Sequence, residues 1–539
     1  MNHNLFHRFP RRDFLRNVTA GVLGTRPLVF SLVGLLGAEQ ILAADLVASN
    51  AETAPRNSGD LGNGTYKNPV IMAGDIADLS IIREGRDYYL VHGYYCAPGF
   101  LIWHSRDLVN WEPAKKLRPE SGPSGPDISK CGGRYYIYFG GPGGVNVIHA
   151  AHPLGEWSDP VSLGINAFDP THIICPDGRR FILSGSPVGY LYELAPDGLS
   201  VIDGSKRKFN YDGWPIPENW DVECSCLEGW NTAQKNGYYY VLAAEGGTSG
   251  PPTSHMCVVA RATSLAGPWE NSPYNPVVHT YSAEDAFWSK GQGVLIDTPE
   301  GDWFILYHAY LKNAENLGRQ VCLEPVEWTS DKWFRIPQGI KADQLIHKPK
   351  GGEAVPNGFK PTDDFRGPEL DVKWGFTARS AEGRYRFVKD GLALKAFGSG
   401  IADAVPMVMP VTHRAYEFVV EMTVPPGVEG GATVYASERA NAMVSLKDGR
   451  IRCKSLIAEE LYPATYKFER IFFRAIFQNN ILRFHFSGDG KNWTKMRDSF
   501  DVSCFNRNTF GGVEAVRPGM FAAGSGEIVL HSFTLRRLA

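Results

Sequence analysis

Four carboxylates, Asp78, Asp127, Asp169 and Glu228, each stand about ten residues ahead of one recurring signature, a glycine followed by a run of aromatic and β-branched residues. The signatures read Gly85-Arg-Asp-Tyr-Tyr-Leu, Gly133-Arg-Tyr-Tyr-Ile-Tyr, Gly178-Arg-Arg-Phe-Ile-Leu, Gly237-Tyr-Tyr-Tyr-Val-Leu and Gly301-Asp-Trp-Phe-Ile-Leu, with Gln292 ahead of the fifth. If each unit is one sheet of a closed ring, matched positions point at one central axis, and acidic side chains far apart in the chain converge there. Converging carboxylates with nothing basic among them imply acid/base hydrolysis, most naturally of a glycosidic bond.

The elements that must hold these groups read as strands. From Asn68 to about Lys348 short alternating runs are punctuated by Gly, Pro and Asp-Gly turns, and helix-period segments of convincing length are absent. Between the aromatic signatures lies a second repeated type: Ile102-Trp-His-Ser-Arg-Asp-Leu-Val-Asn-Trp, Val147-Ile-His-Ala-Ala-His-Pro-Leu-Gly-Glu-Trp and Val258-Val-Ala-Arg-Ala-Thr-Ser-Leu-Ala-Gly-Pro-Trp. These are outer-strand candidates. Two strand pairs per repeat make a four-stranded blade, and five blades make a propeller over residues 67–347. A Lys/Pro/Gly-rich stretch, 348–360, reads as a linker, and the short strands of 361–539 predict a β-sandwich that either binds sugar or covers one face of the propeller. The fold class expected is therefore all-β.

Bulk properties narrow the partners. A chain of 539 residues exceeds one compact core. Net charge of -3, without a long Lys/Arg block, gives no footprint for nucleic acid or an anionic membrane, so a neutral polymeric substrate fits better. The nine cysteines, an odd number at irregular spacing, define no disulfide framework, and Cys224 with Cys226 reads as buried thiols or an incidental pair rather than a metal knuckle. At the front, Pro10-Arg-Arg-Asp-Phe-Leu-Arg precedes an apolar stretch from about Pro27 to Ala44, too interrupted and short for a membrane span. Residues 1–44 thus resemble a twin-arginine export signal, with Arg11 and Arg12 as the pair and cleavage near Ala43 or Ala44, followed by a flexible spacer over 45–66. That places the mature chain in the periplasm or outside the cell.

Asn68-Pro-Val-Ile, Gly74-Asp-Ile-Ala-Asp-Leu-Ser, Ser105-Arg-Asp-Leu-Val-Asn-Trp, Gly125-Pro-Asp-Ile-Ser, Phe168-Asp-Pro-Thr, Leu227-Glu-Gly, Ala244-Glu-Gly-Gly-Thr, Thr298-Pro-Glu-Gly-Asp-Trp and Leu317-Gly-Arg occur in that order. In order and number they resemble glycoside hydrolase family 43, five-bladed propellers that include β-xylosidases and α-L-arabinofuranosidases and cleave with inversion. Asp364-Phe and Glu369-Leu-Asp…Trp374 resemble the concanavalin A-like sandwich, a jelly roll, carried by the β-xylosidase branch. The resemblance implies Asp78 as the base that activates water, Glu228 as the acid that protonates the leaving oxygen, and Asp169 as the residue that holds the acid and raises its pKa. It also implies a sugar contact for Arg319 and a structural role for Asp127.

The chain departs from the family pattern around this triad. Leu79 follows the base where Pro is usual, Ser124-Gly125 replaces Trp-Ala, Trp230-Asn231 replaces Pro-His after the acid, and Gln292 stands where an axial His is common. Gln292 and Trp230 are therefore read as reshaping the sugar pocket; His255 either lines it or is a satisfied structural histidine. No cofactor is required, no metal ligand set is defined, and a structural calcium lacks a clear motif, one Gln carbonyl being a single oxygen ligand. The alternative to a hydrolase is a carbohydrate-binding propeller without turnover.

Overall fold

The computed structural model describes residues 59–93, 100–117, 124–377, 382–456, 458–512 and 515–538. The expected leader, residues 1–44, and the spacer before Gly59 lie outside them. The chain is all-β, and five antiparallel sheets follow one another in sequence as blades. Their innermost strands are Ala77–Glu84, Ser124–Cys131, Thr171–Ile174, Glu228–Lys235 and Phe287–Asp297. The glycine-aromatic signatures form the second strand of each blade, and Phe100–Ser105, Gly144–Ala150 and Met256–Ala262 are third strands, matching the outer-strand repeats. These strands are buried on both faces, as Met256–Ala262 shows along its whole length, because neighbouring blades cover them.

The ring closes through its first residues. Thr65–Tyr66 pairs with Ile346–His347, Val70 N–H donates to Val321 O at 2.8 Å, and Tyr66 Oη donates to Leu323 O at 2.8 Å. Asn68 accepts from Leu323 N–H and donates to the carbonyls of Leu323 and Ala342, which zips the lead-in of blade 1 along the third strand of blade 5. The final residues expected in the spacer, from Gly59 to Tyr66, are thus part of the propeller. Likewise the stretch expected as a linker is fastened: Lys348 pairs with Asp60 at 2.6 Å and Asp107 at 2.8 Å, and Phe359 packs edge-on against Trp103 with centroids 5.3 Å apart. Burying a ring of that size contributes roughly 1.5–3 kcal/mol, enough to hold a segment whose composition reads as flexible.

The second domain is a sandwich of an eight-stranded and a seven-stranded sheet. Ile471–Gln478 alternates buried and half-buried residues strictly, the pattern of a strand with one face in the core. Its core is continuous with blades 4 and 5: Tyr240, Tyr307 and Trp333 share one apolar cluster with Trp374, Phe418 and Phe533. Lys116 Nζ donates to Trp374 O at 2.7 Å, and Asn316 exchanges hydrogen bonds with Val502 and Val516 of the sandwich. Among the described residues no helix is long and apolar enough to cross a membrane.

Candidate active site

Four of the five inner strands are kinked. Pairing slips by one residue between Ala77 and Ser80, Ser124 and Asp127, Glu228 and Asn231, and Gly291 and Val294, so each of these strands carries a β-bulge. Inside each bulge one residue takes the left-handed conformation: Asp78 (φ 55°), Gly125 (φ 50°), Gly229 (φ 60°) and Gln292 (φ 51°); Asp169 (φ 50°) does the same just ahead of the blade 3 strand. Non-glycine residues in that region carry strain of about 1–3 kcal/mol, and bulges re-aim side chains. These five positions are equivalent around the hub.

Five side chains do not fit there together. A Cβ on Gly125 would lie 2.2 Å from Asp169 Oδ1, and one on Gly229 would lie 2.8 Å from Gln292 Cδ. The two glycines make room for Asp169 and Gln292. Two residues further along each strand a polar ring knits the blades: Ser80 Oγ donates to Asp127 Oδ1 at 2.8 Å, and Asp127 Oδ2 accepts His172 N–H at 2.9 Å. Continuing the ring, Thr171 Oγ1 donates to Trp230 O, and Asn231 Nδ2 reaches Leu79 O at 3.5 Å. The carboxylates therefore fall on three different bulge positions rather than on one matched position, as their spacing implied: Asp78 and Asp169 are at the kink, Glu228 is one residue before it, and Asp127 is two after it.

The electrostatics separate the same groups. Asp169 is pushed well above the usual carboxylate range by burial, then by the charges of Asp78 and Glu228, against the pull of Gly229 N–H and Arg319. Glu228 is also raised, first by burial and further by Asp78 and Glu223, while a hydrogen bond from Ser186 and the charge of Arg507 pull it down. Asp78, Asp169 and Glu228, from blades 1, 3 and 4, thus sense one another across the hub. The leading causes of the rise at Glu228 are burial and Asp78; Asp169, expected to supply it, is itself raised by burial, Asp78 and Glu228 and touches the strand of Glu228 through Gly229. Asp127 is pushed up to about 7, chiefly by burial.

The remaining expected residues divide. Gln292 sits at the hub against Gly229. Arg319 is buried and forked onto Asp75, with Nε–Oδ1 at 3.0 Å and Nη2–Oδ2 at 2.6 Å, so it joins blade 5 to the lead-in of blade 1 three residues before Asp78. His255 is buried beside Gly291 and stacks on His308 with centroids 5.1 Å apart; burial and Arg319 hold it neutral, its pKa lowered to about 3. Among the described residues none of the four ring nitrogens meets a partner at hydrogen-bond geometry. Trp230 is a correction: it is not a pocket residue. Its indole N–H donates to Gly185 O at 2.9 Å and its ring packs edge-on to Phe209 in a core cluster, at 3% exposure, so no sugar reaches it.

Among the described residues no three His, Cys, Asp or Glu side chains group to hold a metal.

Two features escaped sequence reasoning. Cys224 and Cys226 form a disulfide just before Glu228, although no framework was readable from their spacing. Arg507 comes from the sandwich, on the one-turn helix Arg507–Phe510, whose next residue Asn508 exchanges hydrogen bonds with Gly250 of blade 4. Its charge reaches Glu228, His255, His308 and Tyr310. Nothing in the local sequence signals this, since the contact exists only once the domains dock.

A family model described as glycosyl hydrolases family 43 matches residues 66–334, and one described as beta xylosidase C-terminal concanavalin A-like domain matches residues 362–529. The chain is 29% identical over 366 residues to the non-reducing end alpha-L-arabinofuranosidase BoGH43B of Bacteroides ovatus, an alignment covering 63% of this chain and 66% of that protein, just under two thirds of its length. It is 25% identical over 521 residues to a putative beta-xylosidase of Escherichia coli, covering 82% of this chain and 93% of that one. The crystal structure of the GH43 protein BlXynB from Bacillus licheniformis superposes with a TM-score of 0.77 at 25% identity, over 88% of this chain and 100% of that one.

Proposed function

Because the chain belongs to glycosyl hydrolases family 43, we propose that it hydrolyses O-glycosidic bonds in pentose-containing oligosaccharides or polysaccharide fragments, with inversion, as a β-xylosidase or an α-L-arabinofuranosidase. Asp78 accepts a proton from water while the water oxygen bonds to the anomeric carbon. The bond to the leaving oxygen breaks, its electron pair stays on that oxygen, and Glu228 delivers the proton there. Asp169 takes Gly229 N–H and fixes the start of the acid's strand, so it positions Glu228. The observation that carries the reading is the raised proton affinity of Glu228 in the field of Asp78. A one-step displacement needs one carboxyl that holds its proton more tightly than usual, and burial together with the neighbouring carboxylate raises Glu228 in that direction.

The names of the relatives, an arabinofuranosidase and a putative beta-xylosidase, support the choice of pentosides. The Arg11–Arg12 pair and the Cys224–Cys226 disulfide support export to an oxidising compartment. Purified chain is to be assayed on aryl pentosides, with the first-formed anomer followed by NMR. Asp78→Asn and Glu228→Gln each lose roughly 10²- to 10⁴-fold in turnover. Retention of configuration, or turnover surviving both substitutions, overturns the assignment. Binding without turnover across a broad glycoside panel favours a carbohydrate-binding propeller instead.

A further inference from the structure

Strand register fixes which loops share the face of the carboxylates. Glu228 pairs with Ala244 near the end of the second strand of blade 4, Glu245 pairs with Met256 at the start of the third, and Met256 pairs with His279. Residues 212–227, 246–255 and 279–286 therefore all leave the blade at the end that bears Glu228. The loops are tied together: Glu223 N–H donates to Ser254 Oγ at 2.8 Å, Thr253 Oγ1 to Asp221 O at 3.4 Å, and His279 Nδ1 lies 3.3 Å from His255 O.

An ordered aromatic cluster stands on this frame. The Trp220 ring lies flat on His279, with centroids 4.5 Å apart and 3° between planes. Tyr281 stands at right angles to both, 4.8 Å from His279 and 6.2 Å from Trp220. His279 is buried, whereas Tyr281 is 68% exposed. A ring braced by two others yet left in water is a preorganised apolar surface, and binding to it costs little side-chain entropy. Exposed Glu218 and Asp221 flank Trp220 and offer acceptors to hydroxyl groups while repelling anions. The disulfide lies between Trp220 and Glu228, and Cys224 Sγ would be 2.9 Å from a Cβ on Gly247, so the stretch that joins the aromatic cluster to the acid is held down at its middle.

Resting on the hydrolase reading above, we propose that Trp220 and Tyr281 form a subsite for a neutral pyranose ring on the leaving-group side of the substrate. The C–H face of a pyranose is apolar and stacks on an aromatic ring, its equatorial hydroxyls reach the flanking carboxylates, and the leaving group lies on the side of the acid that protonates it. The loop bearing Trp220 runs directly into that acid.

The test compares the full chain with Tyr281→Ala, Trp220→Ala and the conservative Tyr281→Phe on a pentosyl fluoride, whose leaving group fills no subsite, and on plain and arabinofuranosyl-substituted xylo-oligosaccharides of increasing length, whose leaving residue is a xylopyranose. The alanine variants lose roughly tenfold more in kcat/KM on the longer oligosaccharides than on the fluoride, mostly through KM, and Tyr281→Phe restores most of it. Equal losses on fluoride and oligosaccharide, or no loss on either, overturn the subsite. Should the full chain turn over none of these substrates, the hydrolase reading fails by itself. Calorimetric binding of the oligosaccharides then decides the subsite: binding weakened in Tyr281→Ala supports it, and binding equal in both chains overturns it.

Discussion

Burial and the charge of Asp78 push Glu228 up, so its acidic form persists to higher pH than an ordinary glutamate, whose pKa is near 4.5. The active protonated fraction falls as pH rises through that raised value, and the alkaline limb of kcat/KM on an aryl pentoside is expected above the ordinary glutamate range. A limb at the ordinary value would remove Glu228 from the acid role. Asp127 makes a separate prediction about stability. Its folded pKa, about 7, lies above the unfolded value of 3.8, so the stability associated with its neutral form is full below about pH 4 and is lost as pH rises toward 7. Asp127→Asn does not titrate, so the variant's melting temperature relative to the natural chain should climb between pH 4.5 and 8; a constant difference would sink the assignment. The identities of Asp78, Asp169 and Glu228 were legible in the sequence as acidic residues ahead of a repeated signature. Their unequal bulge positions were not, because backbone handedness at one residue leaves no trace in spacing. Trp230 misled for a related reason: a departure from a family pattern marks a change, and here the change went inward to pack against Phe209.

At the scale of the strand, the bulges decide what the hub can hold. Gly125→Ala combines a φ of 50° with a Cβ 2.2 Å from Asp169 Oδ1. It should cost roughly 1–3 kcal/mol of stability through backbone strain, and it should also cut turnover at least about tenfold by displacing Asp169. Gly85→Ala is the control, since Gly85 has φ 63° but nothing within 4 Å of the added carbon. It carries the strain alone and keeps turnover, as melting curves and kcat measured side by side would reveal; equal turnover in the two variants would refute the packing argument. Blades were legible because period-two alternation and turn residues are local signals. The tethering of 348–360 was not, since Lys and Pro composition says nothing of Phe359 finding Trp103.

For the molecule as a whole, docking of the sandwich carries a positive charge to the face that bears Glu228. Arg507 pulls the Glu228 pKa down from another domain. Arg507→Gln should therefore move the alkaline limb to higher pH, and added salt should shrink the difference between the two chains because the arginine is only half-buried. Superimposable profiles at low salt would show that the domains do not communicate electrostatically. Sequence could order the two domains but could not bring residue 507 to the side of residue 228, because that alignment is set by the shared core of Tyr240, Trp333, Trp374 and Phe418 and by contacts such as Asn508 to Gly250 that exist only in the docked fold. The clasp of Thr65–Tyr66 on Ile346–His347, backed by Asp60 on Lys348, fixes how far the chain can be shortened from its front. Removing residues ahead of Asp60 would spare both contacts. A cut beyond Tyr66 would leave every carboxylate in place in the polypeptide, yet it would unbuckle the first sector from the fifth and let the reaction centre spread.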